Sequence, residues 1–169
     1  MEFNDVRGVF NQCLTGAGLA GMDGAATTYT MAGDGAATGV QFTIGGRLYY
    51  AADVGATATP TVDIVDGAAF EALDTGEGCV FVFCLDSGGT LRVAQGPVVK
   101  AADVVNKSAA YAFPSIPDTV CQIAYRTISY VGSSTWTFGT SNWNASTTTL
   151  GTVVNCSVLP TQPLTAASA

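Results

Sequence analysis

Cys79-Val80-Phe81-Val82-Phe83-Cys84-Leu85 is the most apolar run in the chain, and its reading decides the fold. A run this short cannot cross a bilayer as a helix, which needs about 20 residues. Its β-branched and aromatic residues end in a turn signal, Asp86-Ser87-Gly88-Gly89. A strand that is apolar at every position is covered on both faces, so it is central in its sheet. Thr90 to Gln95 then returns as the second arm of a hairpin.

The same reading extends in both directions. Val40-Gln41-Phe42-Thr43-Ile44 alternates, turns at Gly45-Gly46 and continues as Arg47-Leu48-Tyr49-Tyr50-Ala51, a second hairpin. Thr28-Tyr29-Thr30-Met31 forms a short strand, and Thr57 to Val65 is β-branched, with Pro60 marking an edge or a loop. Asp66 is placed to cap a short helix carrying Phe70 and Leu73 and ending at Gly76 or Gly78. Phe113-Pro114-Ser115-Ile116-Pro117 is an extended crossover. Val120 to Tyr130 is a third long strand. Cys121, Ile123, Tyr125 and Thr127 alternate there against Gln122, Ala124 and Arg126, while Ile128 and Tyr130 break the pattern. Trp136-Thr137-Phe138 alternates too, with its two rings on the core side, and the Thr-rich segment to Val158 supplies one or two further strands. Short strands with Gly-rich turns predict a mainly β domain over residues 40–160, an antiparallel β-sandwich or jelly-roll-like barrel of open strand order.

Outside that domain the patterns change. Val6, Val9, Phe10, Cys13 and Leu14 recur at helical spacing over residues 4–16, with Asn4 as N-cap and Gly16 and Gly18 as stops. The apolar stripe of Val6, Phe10 and Leu14 is the candidate contact surface, either on the chain's own core or on a neighbouring subunit. Gly16 to Gly39 is Gly, Ala and Thr, with an echo of Asp23-Gly24-Ala25-Ala26-Thr27 at Asp34-Gly35-Ala36-Ala37-Thr38, two similar turns. Residues 1–39 therefore form an N-terminal helical arm, and residues 161–169 a free tail.

Composition narrows the function. Thirteen acidic residues against six basic ones, a formal charge of -7, repel phosphates and argue against nucleic acid. No His is present, which removes the commonest general base and metal ligand, and no cofactor or metal is expected. Met1-Glu2-Phe3-Asn4-Asp5 lacks the basic and apolar regions of a secretory signal, so synthesis in a cytosol and no membrane attachment are expected. The five cysteines, 13, 79, 84, 121 and 156, read as small buried hydrophobes. Cys79 and Cys84 point to opposite faces of their strand and cannot bridge. Only 11% of residues are charged and 48% are hydrophobic, so an isolated chain would expose apolar surface that a partner should cover.

Several of these motifs, taken in order, resemble a known group. Phe42-x-Ile44-x-Gly46-x-x-Tyr49, Gly78-Cys79-Val80-Phe81-Val82, Asp86-x-x-Gly89 and Val93-x-Gln95-Gly96 come first. Phe113-Pro114-x-Ile116-Pro117-Asp118, Ala124-Tyr125 and Trp136-x-Phe138-Gly139 complete the series. Over residues 40–145 it resembles the capsid decoration, cement or head-fibre-like proteins of tailed bacteriophages. The resemblance implies a structural virion protein without catalytic residues. Such a protein is made in the host cytoplasm and sits on the capsid surface against the major capsid protein. It is often a trimer at threefold or quasi-threefold positions.

Three other readings stand beside this one: an enzyme, a binding module, and a stand-alone bacterial structural protein without a virus. An enzyme would need a base for a Cys nucleophile, a Ser-Lys pair using Lys100 or Lys107, or a carboxylate pair such as Glu71 and Glu77. None of these lies in a recognisable motif. A carbohydrate- or host-surface-binding module displayed on the virion would use an exposed ring, and Trp143, between Asn142 and Asn144, is the candidate. Asn144-Ala145-Ser146 matches a glycosylation sequon that stays unmodified without secretion.

Overall fold

The structure is a computed structural model and describes residues 11–24, 27–33, 38–144 and 147–163. In chain order the strands are β1 (Gln12–Cys13), β2 (Thr28–Met31), β3 (Val40–Ile44), β4 (Arg47–Ala51), β5 (Val54–Ala58), β6 (Glu77–Asp86), β7 (Leu91–Gln95) and β8 (Val99–Lys100). A short helix, α1 (Ala101–Val105), precedes β9 (Val120–Tyr130), β10 (Thr148–Leu150) and β11 (Val154–Asn155). The ladders are antiparallel and form no closed barrel. One sheet runs β10-β9-β6-β7, with β8 on β6 and β11 on β9; a second is β1-β3-β4; a third pairs β2 with β5.

β6 is the central strand its composition predicts. Cys79, Phe81, Phe83 and Leu85 enter one core, and Val80, Val82 and Cys84 enter a second on the other face. Each fully buried side chain of this size contributes roughly 2 kcal/mol. The β6–β7 turn is built by Asp86, whose carboxylate accepts the backbone N–H groups of Gly88 (2.9 Å) and Thr90 (3.0 Å). Gly89 completes it at φ +75°, a conformation that favours glycine.

β9 explains the broken alternation of its sequence. Phe83 lies opposite Ala124 and Cys84 opposite Gln122, so Ile123 is an extra residue, a β-bulge. Cys121 and Ile123 face the larger core before the bulge; Ala124, Ile128 and Tyr130 face it afterwards. The parity switch also carries Arg126, opposite Phe81, to that side.

The larger core is closed by aromatic rings. Phe81 and Phe138 have centroids 4.7 Å apart, Phe70 and Phe138 4.8 Å, Phe138 and Trp143 5.1 Å, and Trp136 and Trp143 5.5 Å. Phe42 from β3, Tyr29 and Met31 from β2, and Ala17, Leu19 and Met22 complete it. The smaller core is roofed by Ile64, Phe113, Ile116, Val154, Cys156 and Leu159. The segment 113–117 is irregular, as its prolines require.

Three expectations are corrected. The helix over residues 4–16 is absent from its described part: Gln12–Cys13 is a strand. Cys13 enters the larger core, and Leu14 N–H donates to the Gln41 carbonyl at 2.8 Å. Asn11 bonds the Gly45 N–H and the Asp118 and Val120 carbonyls. These long-range bonds outweigh a helical periodicity of a few residues. The helix after Asp66 is replaced by a turn: the Asp66 carboxylate accepts Ala68 N–H and Gly67 N–H reaches the Asp63 carbonyl. Phe70 and Leu73 are still buried, and Leu73 bridges Trp136. Trp136–Phe138 is not a strand beyond that bridge.

Candidate functional site

The three-stranded sheet has two unlike faces. Cys13, Val40, Phe42 and Ala51 point into the core, with Tyr49 packed beside them, its ring stacked on Phe42 at 5.8 Å. Alternation turns Gln12, Leu14, Gln41, Leu48 and Tyr50 to the other side. The registers place Gln41 opposite Tyr50 and Thr43 between Gln12 and Leu48. Three large apolar side chains thus share one outer face: Leu48 is 65% exposed, Tyr50 54% and Leu14 49%. Arg47 follows at the end of the hairpin, its guanidinium 5.9 Å from the Tyr49 ring. The face carries no carboxylate among these residues, on a chain of charge -7. An apolar centre with amide and hydroxyl side chains around it is what a contact surface would present.

The residues singled out by sequence fare differently. Leu14 stays exposed and joins this face, as part of a strand row rather than a helical stripe. Val6 and Phe10 lie outside the described residues. Trp143 is not an exposed ring. It is 1% exposed and packed on Trp136 and Phe138, because residues 136–144 fold back over the larger core. Leu48 and Tyr50 were not singled out. Their strand was legible, but which of its faces was covered was not.

Arg126 sits beside Trp143. It is 7% exposed, yet among the described residues no carboxylate bonds it. Its Nε donates to the Gly151 carbonyl at 2.6 Å and its Nη1 to the Met22 carbonyl. The guanidinium lies 5.8 Å from the Trp143 ring centre. Burial lowers its pKa, and the charge of Asp23 opposes that. Arg126 therefore ties the segment before β2, the segment after β10 and the loop of Trp143 to β9.

The candidate acids and bases are not brought into one site. Glu71 lines a groove of about 400 Å³ with Asp63 and Asp66. Glu77 instead accepts the Asp74 N–H at 2.9 Å and lies opposite Lys100 across the β6–β8 ladder. Asp63 is buried, its two oxygens taking the Val65 and Gln95 N–H groups. All five thiols are free. Among the described residues, no group of three or more His, Cys, Asp or Glu could hold a metal, and no helix is long and apolar enough to cross a membrane.

Comparison with known proteins identifies no relative: no family model matches the chain, and no curated protein or solved structure does.

Proposed function

We propose that this chain is a structural virion protein that decorates and stabilises the outer surface of a phage capsid. It acts as a trimer at threefold or quasi-threefold positions and has the major capsid protein as its partner. The observation that carries the reading is the outer face of the small sheet, where Leu14, Leu48 and Tyr50 stand exposed together on a chain with few charges. The motif series adds support. Phe42, Phe81, Val93, Trp136 and Phe138 hold core positions, and Gly46, Gly89 and Gly139 hold turns of positive φ. Contact area added many times over a closed shell stabilises it by mass action even when each contact is weak. A carbohydrate-binding role would need a ring other than Trp143, which is buried in the core.

Two measurements test the proposal. Light scattering on the purified chain at micromolar concentration should give the mass of a trimer. Cosedimentation with empty shells of the major capsid protein from the same genome should retain the chain and raise the shells' melting temperature. A well-behaved monomer that does not bind the shells ends the reading.

A further inference from the structure

An Asp-Gly step is chemically labile. The glycine nitrogen can attack the side-chain carboxyl carbon of the aspartate, because its residue has no Cβ to hinder the approach. Two such steps lie among the described residues, Asp23-Gly24 and Asp66-Gly67, and a third, Asp34-Gly35, lies outside them. Asp23 and Asp66 are both exposed and both stand in turns. Their bonding differs. At Asp66 both reacting groups are held: its carboxylate accepts the Ala68 N–H at 2.8 Å, and the Gly67 N–H donates to the Asp63 carbonyl at 2.9 Å. At Asp23 neither is held. Among the described residues, no hydrogen bond reaches the Asp23 carboxylate or the Gly24 N–H.

The place of Asp23 in the fold gives this lability a consequence. The residue before it, Met22, is buried, and its carbonyl accepts Arg126 Nη1. The residue after it, Gly24, has a carbonyl that accepts the Asn144 N–H at 3.1 Å. Asn144 adjoins Trp143, whose ring lies 5.8 Å from the same guanidinium. Asp23 is thus the one residue between two ties to the Arg126 and Trp143 neighbourhood. Its charge also favours the charged guanidinium.

We propose that Asp23-Gly24 is a self-modification site, which converts to isoaspartate and so loosens the anchorage of Arg126. The Gly24 nitrogen bonds to the Asp23 Cγ, and a carboxylate oxygen leaves as water with the amide proton and one proton from solvent. Water then opens the cyclic imide at the carbonyl that came from the main chain. The bond from that carbon to nitrogen breaks, the nitrogen regains its proton, and the carbon becomes a free carboxylate, returning a proton to solvent. The chain now runs through Cβ and Cγ, one atom longer between Met22 and Gly24. No reactant other than water is consumed. Two ties set for the shorter backbone no longer fit together.

The test ages the full chain in neutral buffer, native and in urea, then unfolds it and digests it with Asp-N protease, which cleaves before aspartate but not before isoaspartate. In the native chain, cleavage before Asp23 should be lost at least about tenfold faster than before Asp66, because two ordinary hydrogen bonds must open first at Asp66. In urea the two sites should be lost at similar rates. Gly24→Ala should slow the loss at Asp23. It is tolerated because the φ of Gly24 is not positive and an added Cβ meets no atom within 4 Å beyond its chain neighbours. Aged wild type should denature at a lower urea concentration than aged Gly24→Ala. Equal native rates at the two sites, or an Asp23 that persists in the native chain while it reacts in urea, would overturn the proposal. An isomerised chain with an unchanged urea midpoint would overturn the loosening of Arg126.

Discussion

Ile123 and Ala124 are consecutive in β9, yet both side chains enter the larger core. The bulge between Phe83 and Cys84 of the partner strand makes this possible, since two β9 residues share the space of one. Everything after it changes face. Arg126 therefore turns inward, where its guanidinium meets the Met22 and Gly151 carbonyls and the Trp143 ring.

Arg126→Ala removes three ties at once and leaves two carbonyls without their donor. A loss of about 2–4 kcal/mol is expected in urea denaturation. Arg126→Met keeps the packing of the stem and should lose less. Loss of under about 0.5 kcal/mol in Arg126→Ala would mean that the guanidinium ties nothing down.

Trp136 and Trp143 are both buried against other rings. Native emission should be blue-shifted relative to free tryptophan, protected from acrylamide, and should move red only on global unfolding. An emission component that acrylamide quenches freely in the folded chain would contradict the burial of Trp143.

The thiols are held in their neutral form. Burial raises Cys13 and Cys156 to about 11 and Cys79 and Cys121 to about 12, from an ordinary 9.0, and raises Cys84 as well. Folding thus disfavours the thiolate. The stability linked to these groups is fully present below about pH 9 and is lost as pH rises through 11 to 12. Ellman's reagent at pH 8 should label the native chain slowly, Cys156 first because it alone is partly exposed. Urea should make all five thiols react at once. Rapid native labelling of Cys79 or Cys84 would count against the two-sided burial of β6.

Asp86 organises the turn at the heart of the quoted stretch. Burial pushes its pKa up, but hydrogen bonds from Thr90, Arg92 and Gly88 outweigh this and hold it below the ordinary 3.8. Its contribution is present above about pH 3.8 and is lost as pH falls through the lowered value. Asp86→Ala should cost about 1–2 kcal/mol through the two lost backbone bonds. Arg92→Ala should cost under about 1 kcal/mol, because its side chain is half exposed although it reaches Asp86 at 2.9 Å. Equal losses in the two variants would show that the ion pair, not the turn, matters.

The sequence by itself determined the β elements that follow from local chemistry. The alternation and paired glycines of residues 40–51 specify a hairpin, and the unbroken apolar run of β6 specifies a strand covered on both faces. The extent of β9 was legible because its apolar and β-branched residues recur between turn signals. Only the tertiary structure decided the rest. Leu14 belongs to a strand row because Cys13 and Gln41, far apart in the chain, supply its surroundings. Trp143 is buried because its loop folds back onto Phe138. The exposed pair Leu48 and Tyr50 is set by which neighbours β3 and β4 acquire. Pairing between distant segments fixes which backbone groups and which faces are used up, and local propensity is too weak, at about 1 kcal/mol per residue, to resist it.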